Sequence, residues 1–480
     1  MALPQIIQGG MGVAISNWCL ARSVALEGQL GVVSGTGISL ILISRLAAGD
    51  PDGKMREALS QFPFQEHAQK VLDTYYVPGG NPPGVPHRVP PMYTIHPPRE
   101  LDMLTVIANF VEVFLAKQGH SGVVGINLLE KVQLPNLASL YGAMLAGVDV
   151  VLMGAGIPVQ VPAVLDKLAH HEKVTYRLDV LNSDKDDDYR IEFDPERIFP
   201  GITERVGTLH RPQFLPIISS VVLAQALLKR SEGRIDGFII EGPLAGGHNA
   251  PPRGQMTLNE SGEPIYGDKD QVDLTKIKQL GLPFWLAGAY GSHSGLKKAL
   301  ELGAAGIQSG TAFAFCTQSG LEMGLREQIT GQVLRGEVKV FTSPNASPTG
   351  FPFKVVMIDD TLADPGIYAE RDRICDLGFL RTLYKRDDQK LGYRCPAEPI
   401  EQYVHKGGSA EDTEERVCLC NALGSSAGYP QARKNGVMDP PLVTSGDDLP
   451  NIKQFMRNDC PEYTARDVID LFLNGVLSPV

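Results

Sequence analysis

No apolar run in this chain approaches the ~20 residues that a membrane-spanning helix needs. The first residues, MALPQIIQGG, lack the basic stretch and apolar core of a secretory signal. Cysteine is scarce: seven in 480 residues, an odd count. That excludes a disulfide framework and fits a reducing compartment, so a cytoplasmic location is expected. A positive charge excess is also missing. Lys and Arg total 44 against 55 Asp and Glu, a formal net charge of −11. Binding a phosphate backbone needs clustered cations, so neither nucleic acid nor membrane is an expected partner. Aromatic residues make up only 7% of the chain and charged residues 21%, yet 43% is hydrophobic. That is enough apolar material for a packed core and excludes a disordered chain.

What the chain does have is a rhythm. From residue 6 to residue 309, short β-branched runs alternate with helical patterns, as parallel βαβ units require. Eight runs are predicted as strands: 6–8, 31–34, 123–128, 148–154, 214–219, 237–241, 284–287 and 306–309. Helices are predicted over 17–27 with Ser16 as N-cap, over 136–146 after Pro135, and over 292–302 up to a Gly stop. Eight is the number of strands that closes a barrel. The fold class read here is therefore α/β, a (β/α)8 barrel spanning residues 1–338, in preference to an open doubly wound sheet.

Two insertions interrupt it. One, at about 50–120, contains a helical pattern over 65–75 and the segment PGGNPPGVPHRVPPMYTIHPP (78–98), whose prolines forbid a regular element. The other, at 172–212, carries KVTYRLDVL (173–181) and YRIEF (189–193) around the acidic run SDKDDD, which reads as a β-hairpin with a solvated tip. Beyond residue 338 the rhythm stops. Residues 339–480 are expected to form a C-terminal extension packed on the barrel, with helical pieces near 369–385 and 465–473.

Chemistry on such a barrel sits at the carboxyl ends of the strands, and glycines gather there. QGGMG (8–12), SGTGIS (34–39), MGAGIP (153–158), EGPLAGGHN (241–249), AGAYGS (287–292) and SGTAF (309–313) follow six of the eight strands. Turn chemistry explains any one of them; it explains six poorly. Glycines there let backbone N–H groups approach a phosphate or a flat ring with no Cβ in the way. Barrels often seat a phosphate between the loops after strands seven and eight. Here those loops hold Gly288, Ala289, Tyr290 and Ser292, and then Gly310 and Thr311. Neither GxGxxG nor GxxxxGK[ST] occurs in either loop. A phosphorylated cofactor with a large flat ring would place its ring under the glycines of strands one, four (Gly154) and six (Gly246, Gly247), and FMN meets that description. Pyridoxal phosphate would need a strand-end lysine, and these loops have none.

Of ten histidines, only His248 lies in a Gly-rich loop directly after an apolar strand. An imidazole there can move a proton at neutral pH; the plainer alternative is a surface-loop histidine. His293 reads as a helix-start residue.

Taken together, IIQGGMG, LGVVSGTG, VGINLL, VDVVLMGAGIP, AGGHN, LAGAYG and GIQSGTAF, in this order over about residues 4–335, resemble the nitronate monooxygenase (2-nitropropane dioxygenase) family. The related FMN-dependent enoyl-acyl carrier protein reductases share the motifs. The resemblance implies a TIM barrel, bound FMN and a catalytic His at His248. It implies Gly9, Gly10 and Met11 beside the flavin ring, Asn127 after the third strand, and Gly288, Gly310 and Thr311 at the phosphate. Familiar members read Glu-Ala-Gly-Gly-His with a Gly soon after. This chain instead reads Pro243-Leu244-Ala245-Gly246-Gly247-His248-Asn249-Ala250-Pro251-Pro252, so a different substrate pocket is expected. The hairpin and the long C-terminal region look more like the longer enoyl reductases attached to fatty acid and polyketide synthases.

Four of the seven cysteines, Cys375, Cys395, Cys418 and Cys420, fall in the C-terminal region with gaps of 19, 22 and one residue. That is no standard zinc or iron–sulfur spacing. A folded region could still gather them around a metal, although buried thiols acting as small apolar side chains are the commoner case. Three functions follow from the resemblance. In the first, FMN oxidises a nitronate or similar carbon acid and O2 reoxidises it. In the second, NAD(P)H reduces FMN, which reduces an enoyl thioester. In the third, the barrel holds FMN structurally and the chain is a docking module. The expected partner is a small-molecule or acyl-thioester substrate, with a homodimer compatible with the sequence.

Overall fold

The computed structural model describes residues 4–82, 84–433, 436–457 and 460–477. Eight parallel strands run β1 (Ile6–Gln8), β2 (Gly31–Ser34), β3 (Val124–Leu129), β4 (Val150–Gly154), β5 (Gln213–Ile218), β6 (Phe238–Glu241), β7 (Phe284–Ala287) and β8 (Gly306–Ser309). From β2 to β8 each strand pairs with the next, and β8 returns to β1 with Ile6 opposite Ile307. Leu30 joins β1 to β2 through N–H and C=O bonds of 3.1 and 3.0 Å to Ile6 and Gln8. The sheet closes as a (β/α)8 TIM barrel.

Successive side chains on a strand point to opposite faces, which explains why almost every strand position here is apolar. Ile7, Leu30, Val32, Val150, Leu152, Leu215, Ile239 and Trp285 fill the barrel interior. Their strand neighbours Ile6, Val33, Val151, Phe214, Phe238 and Phe284 pack outward in the larger cluster shared with the helices. Trp285 also closes the amino end, its indole N–H donating to the Pro4 carbonyl at 3.0 Å.

Several local expectations are corrected. The first helix, Trp18–Leu26, is capped by Asn17, whose side chain accepts from the Leu20 N–H. Ser16 instead folds the loop after β1, accepting from the Met11 N–H at 2.8 Å and donating to the Gly9 carbonyl at 2.8 Å. Pro135 is the N-cap of helix Asn136–Leu145 and lies before its first residue. Within the first insertion, Arg99–Lys117 forms a 19-residue helix buried along most of its length, packed between helices Trp18–Leu26 and Asn136–Leu145. It therefore belongs to the barrel's helical layer. Its apolar residues run all round, as burial on every side requires, and so show little amphipathic period.

In the second insertion, Val174–Arg177 pairs with Arg190–Phe193 as a hairpin. Val180 and Leu181 leave it to pair in parallel with Thr382–Lys385. The acidic run is not simply solvated, since Asp184 and Asp187 clasp Lys385 Nζ at 2.6 and 2.9 Å. The helix expected over 369–385 stops at Glu370, and Thr382–Lys385 pairs antiparallel with Leu391–Arg394. Leu383 and Tyr384 are both buried, so the strand is set by its hairpin partners and not by a period-two pattern. The last helix, Ala465–Asn474, forms as expected between a Thr464–Asp467 capping box and Gly475. Among the described residues no helix is long and apolar enough to cross a membrane.

Leu152 is fully buried inside the barrel, whereas Leu26 is 51% exposed on a helix. Leu152→Ala is expected to cost about 2–5 kcal/mol, and Leu26→Ala about 0.5 kcal/mol or less. Thermal or urea unfolding of both variants checks the difference.

Candidate active site

The loops at the carboxyl ends of β1, β3, β4, β6, β7 and β8 surround one cavity of about 1450 Å³, counting the open space at its mouth. Gly9, Gly10, Met11, Asn127, Gly154, Gly246, Gly247, His248, Gly288, Ala289, Tyr290, Gly310 and Thr311 all line it. The sequence-predicted residues from six strand ends are thus brought to one place.

Two glycines show why no side chain is tolerated. A Cβ on Gly10 would stand 2.1 Å from Asn127 Cβ, because Asn127 Nδ2 donates to the Gly10 carbonyl at 2.9 Å. Gly288 has φ of +94° and lies against the backbone of Gly242. Gly310 differs: its φ is −98° and a Cβ would meet only Met11 at 3.5 Å, an ordinary contact.

His248 is half-buried, with its Nε2 2.7 Å from Ser347 Oγ and its ring edge-on to Phe353 at 4.8 Å. Lack of water and the Lys131 cation push its pKa down to about 4, so the imidazole is neutral at neutral pH. Ser347 Oγ also lies 2.8 Å from Thr349 Oγ1 and accepts from the Thr349 N–H. If the hydroxyl proton goes to Thr349, Nε2–H donates to Ser347 and Nδ1 remains the basic nitrogen. Glu241, at the end of β6, also faces the cavity, and burial pushes its carboxyl up to about 7. Asp448 stands at the β7–β8 end, where burial holds its carboxyl above the usual range against the pull of the Thr311 hydroxyl.

The C-terminal region completes the wall. Strand Phe353–Val356 pairs with Val340–Ser343, and its Lys354 N–H donates to the Gly247 carbonyl at 3.0 Å. The Asn249 N–H donates to Pro352 at 2.9 Å. Thr444 Oγ1 accepts from the Gly247 N–H at 2.9 Å, and Thr311 Oγ1 from the Gly446 N–H at 3.1 Å. Sequence reasoning missed Glu241, Ser347, Phe353 and residues 442–448. Glu241 carried a signal, being an acid at an apolar strand's end. The others lie far along the chain in segments with no periodic pattern.

Beyond His248 the cavity adjoins a second chamber of about 830 Å³, counted the same way, walled chiefly by apolar side chains such as Leu40, Ile41, Val132, Leu377, Phe379 and Leu380. Cys420 lines this chamber; Cys375, Cys395 and Cys418 line neither space. Among the described residues, no three His, Cys, Asp or Glu side chains are gathered to hold a metal ion.

Residues 202–343, which contain His248, Gly288 and Thr311, match the family model described as nitronate monooxygenase. The nitronate monooxygenase of Pseudomonas aeruginosa is 30% identical over 168 residues, 34% of this chain and 44% of that protein. The chain covers less than half the length of the curated relatives it matches. Several solved structures are similar across 98% of this chain, among them two from different enzymes. FabK from Thermotoga maritima has 15% identity, 91% of its own chain covered and a TM-score of 0.46. The nitroalkane oxidase from Streptomyces ansochromogenes has 14% identity, 94% covered and a TM-score of 0.45.

The two shifted groups have opposite effects on stability. His248 falls from an ordinary 6.5 to about 4, so the unfolded chain binds its proton first, and stability is lost as pH falls from 6.5 through 4. Glu241 rises from 4.5 to about 7, so stability is lost as pH rises from 4.5 through 7. In melting temperatures measured between pH 4 and 8, His248→Gln should flatten the acid side and Glu241→Gln the neutral side.

Proposed function

We propose that this chain, whose residues 202–343 match the nitronate monooxygenase family model, is an FMN-dependent oxidoreductase that oxidises a nitronate or similar carbon acid with O2. The observation that carries the reading is His248: a neutral imidazole under the field of the Lys131 cation, on the wall of the glycine-lined cavity. An uncharged base on that wall can take a proton from a carbon acid and return it.

The cavity suits the cofactor. Asn127 Oδ1, Gln308 Oε1, Ser309 Oγ and Ser445 Oγ are buried on its wall with no hydrogen-bond partner, a cost that a ligand rich in N–H, O–H and acceptor groups removes. Asn127 and Gln308 would meet the ring, with the glycines of β1, β4 and β6 beneath it. Backbone N–H groups of Gly288, Ala289, Tyr290 and Gly310, with the Thr311 and Ser445 hydroxyls, would hold the phosphate, since no Lys or Arg lines the cavity. Bound FMN supplies the two-electron acceptor. The chain's own work is to hold the substrate against it, exclude water, and take or return a proton at the His248 imidazole, whose Nε2 is held by Ser347.

A second reading, NAD(P)H-linked reduction of an enoyl thioester, is favoured by one feature. The apolar chamber adjoining His248 is large enough to take an acyl chain. Stopped-flow mixing separates the two. Flavin bleaching by propionate nitronate with slow reduction by NADH and NADPH supports the oxidation, and rapid anaerobic bleaching by NAD(P)H supports the reductase. Nothing in the cavity favours a docking module, which has no use for a neutral base beside the ring.

His248→Ala should keep its flavin and lose roughly 10²–10⁴-fold in turnover of a neutral nitroalkane, with a preformed nitronate restoring much of the rate. Wild-type turnover on both forms would remove His248 from the mechanism. Asp448→Asn, which takes a negative charge from the phosphate end, should lower the Kd for FMN several-fold in a fluorescence titration. Unchanged affinity would place the phosphate elsewhere.

A further inference from the structure

The C-terminal cysteines come from three separate segments and meet. Cys375 lies in the irregular stretch after helix Pro365–Glu370, and Cys395 directly follows strand Leu391–Arg394. Cys418 and Cys420 flank the first residue of helix Leu419–Ser426. Cys395 and Cys418 share one buried cluster with Ala397, and Cys375 and Cys420 pack against it. All four are free thiols, and the remaining three, Cys19, Cys316 and Cys460, stand outside this cluster.

Burial and mutual repulsion push the Cys375, Cys395 and Cys420 thiols up, so they are neutral in the metal-free chain, yet N–H donors are aimed at the sulfurs. The Ala397 N–H is directed at Cys395 and the Asn421 N–H at Cys418, with Asn421 Nδ2 also 3.6 Å from the Cys418 sulfur. An N–H two or three residues along and aimed back at a cysteine sulfur stabilises a thiolate, as outer hydrogen bonds do around metal centres. Cations face the group from other elements: Arg371 toward Cys418, and Arg381 and Lys406 toward Cys375. Glu398 and Asp376 are the acidic neighbours, and they are paired with Lys406 and Arg433 respectively. Arg373 pins the Cys395 turn by donating to the Pro396 and Glu398 carbonyls. Plain buried thiols need none of these donors, because a neutral S–H packs as an apolar group.

We propose that Cys375, Cys395, Cys418 and Cys420 are the thiolate ligands of an iron–sulfur cluster. A single zinc ion draws four sulfurs into one tight tetrahedron with bonds of about 2.3 Å. No set of three or more ligating side chains among the described residues is gathered to hold one ion. A polynuclear cluster spaces its thiolates farther apart, which suits four cysteines packed into one buried cluster without converging on a point. Binding forms four S–Fe bonds and releases the thiol protons. The cluster would lie behind the wall of the apolar chamber, which Cys420 lines together with Leu419 and Asn421. This assignment does not depend on the flavin reading.

The test uses the full chain, purified without oxygen and also reconstituted with ferric iron, a thiol reductant and sulfide. Iron, zinc and acid-labile sulfide are measured per chain, and electron paramagnetic resonance is recorded after dithionite. Expected are roughly two or four iron atoms with matching sulfide and a reduced-cluster signal. Cys395→Ser and Cys375→Ser should lose the cluster and Cys460→Ser keep it, with flavin retained in all three. Three results each overturn the proposal: iron and sulfide below about a tenth of an equivalent after reconstitution, stoichiometric zinc in place of iron, or a full cluster in a folded Cys395→Ser. The wild-type iron content decides even if the serine variants fail to fold.

Discussion

A buried lysine ties the candidate site together. The side chain of Lys354 is 2% exposed, and its Nζ lies 2.8 Å from Thr342 Oγ1 and 2.7 Å from Asp447 Oδ2. Its backbone N–H holds the Gly247 carbonyl. One residue therefore joins the hairpin of the C-terminal region, the 442–448 segment and the loop that carries His248. A lysine this deep is tolerated only because it is paired, with its partner carboxylate reaching solvent at 36% exposure. The barrel supplies the loops, but this contact sets where the His248 loop comes to rest.

The same docking makes the electrostatics of the cavity. Phe353 and the 442–448 segment cover strand ends that would otherwise meet water. Loss of that water moves both titratable groups toward their neutral forms, His248 downward and Glu241 upward. A site with a neutral base and a carboxyl poised near 7 under one roof suits proton handling. It would not exist on the bare barrel, where both groups would be hydrated.

Closure of the C-terminal region also gives the cysteines their meeting place. Strand Thr382–Lys385 is fastened to the barrel's hairpin insertion through Leu181 and the Asp184–Lys385 and Asp187–Lys385 pairs. The Arg416 guanidinium donates to the Asn345 and Ser347 carbonyls at 2.6 Å each. The segment leading to Cys418 and the hydroxyl beside His248 therefore share one support. Thiol cluster and candidate catalytic loop are parts of one packed unit.

By itself the sequence determined the barrel and which glycine-rich strand ends gather around one cavity. Parallel strands buried on both faces must be apolar runs bounded by Gly, and that local pattern placed all eight strands within two residues of their ends. Glycines at strand ends mark the carboxyl face because only they let backbone approach so closely, as Gly10 does against Asn127. Contacts over long sequence separations were decided only in the tertiary structure. Ser347 meets His248 across 99 residues and Thr444 meets Gly247 across 197, and no local period records either pairing. Helix 99–117, buried on all sides, hid its membership in the barrel. Residues 382–385 became strand because partners 391–394 were there to take their hydrogen bonds. Local patterns report which face of an element is buried; they carry no record of which distant segment will cover it.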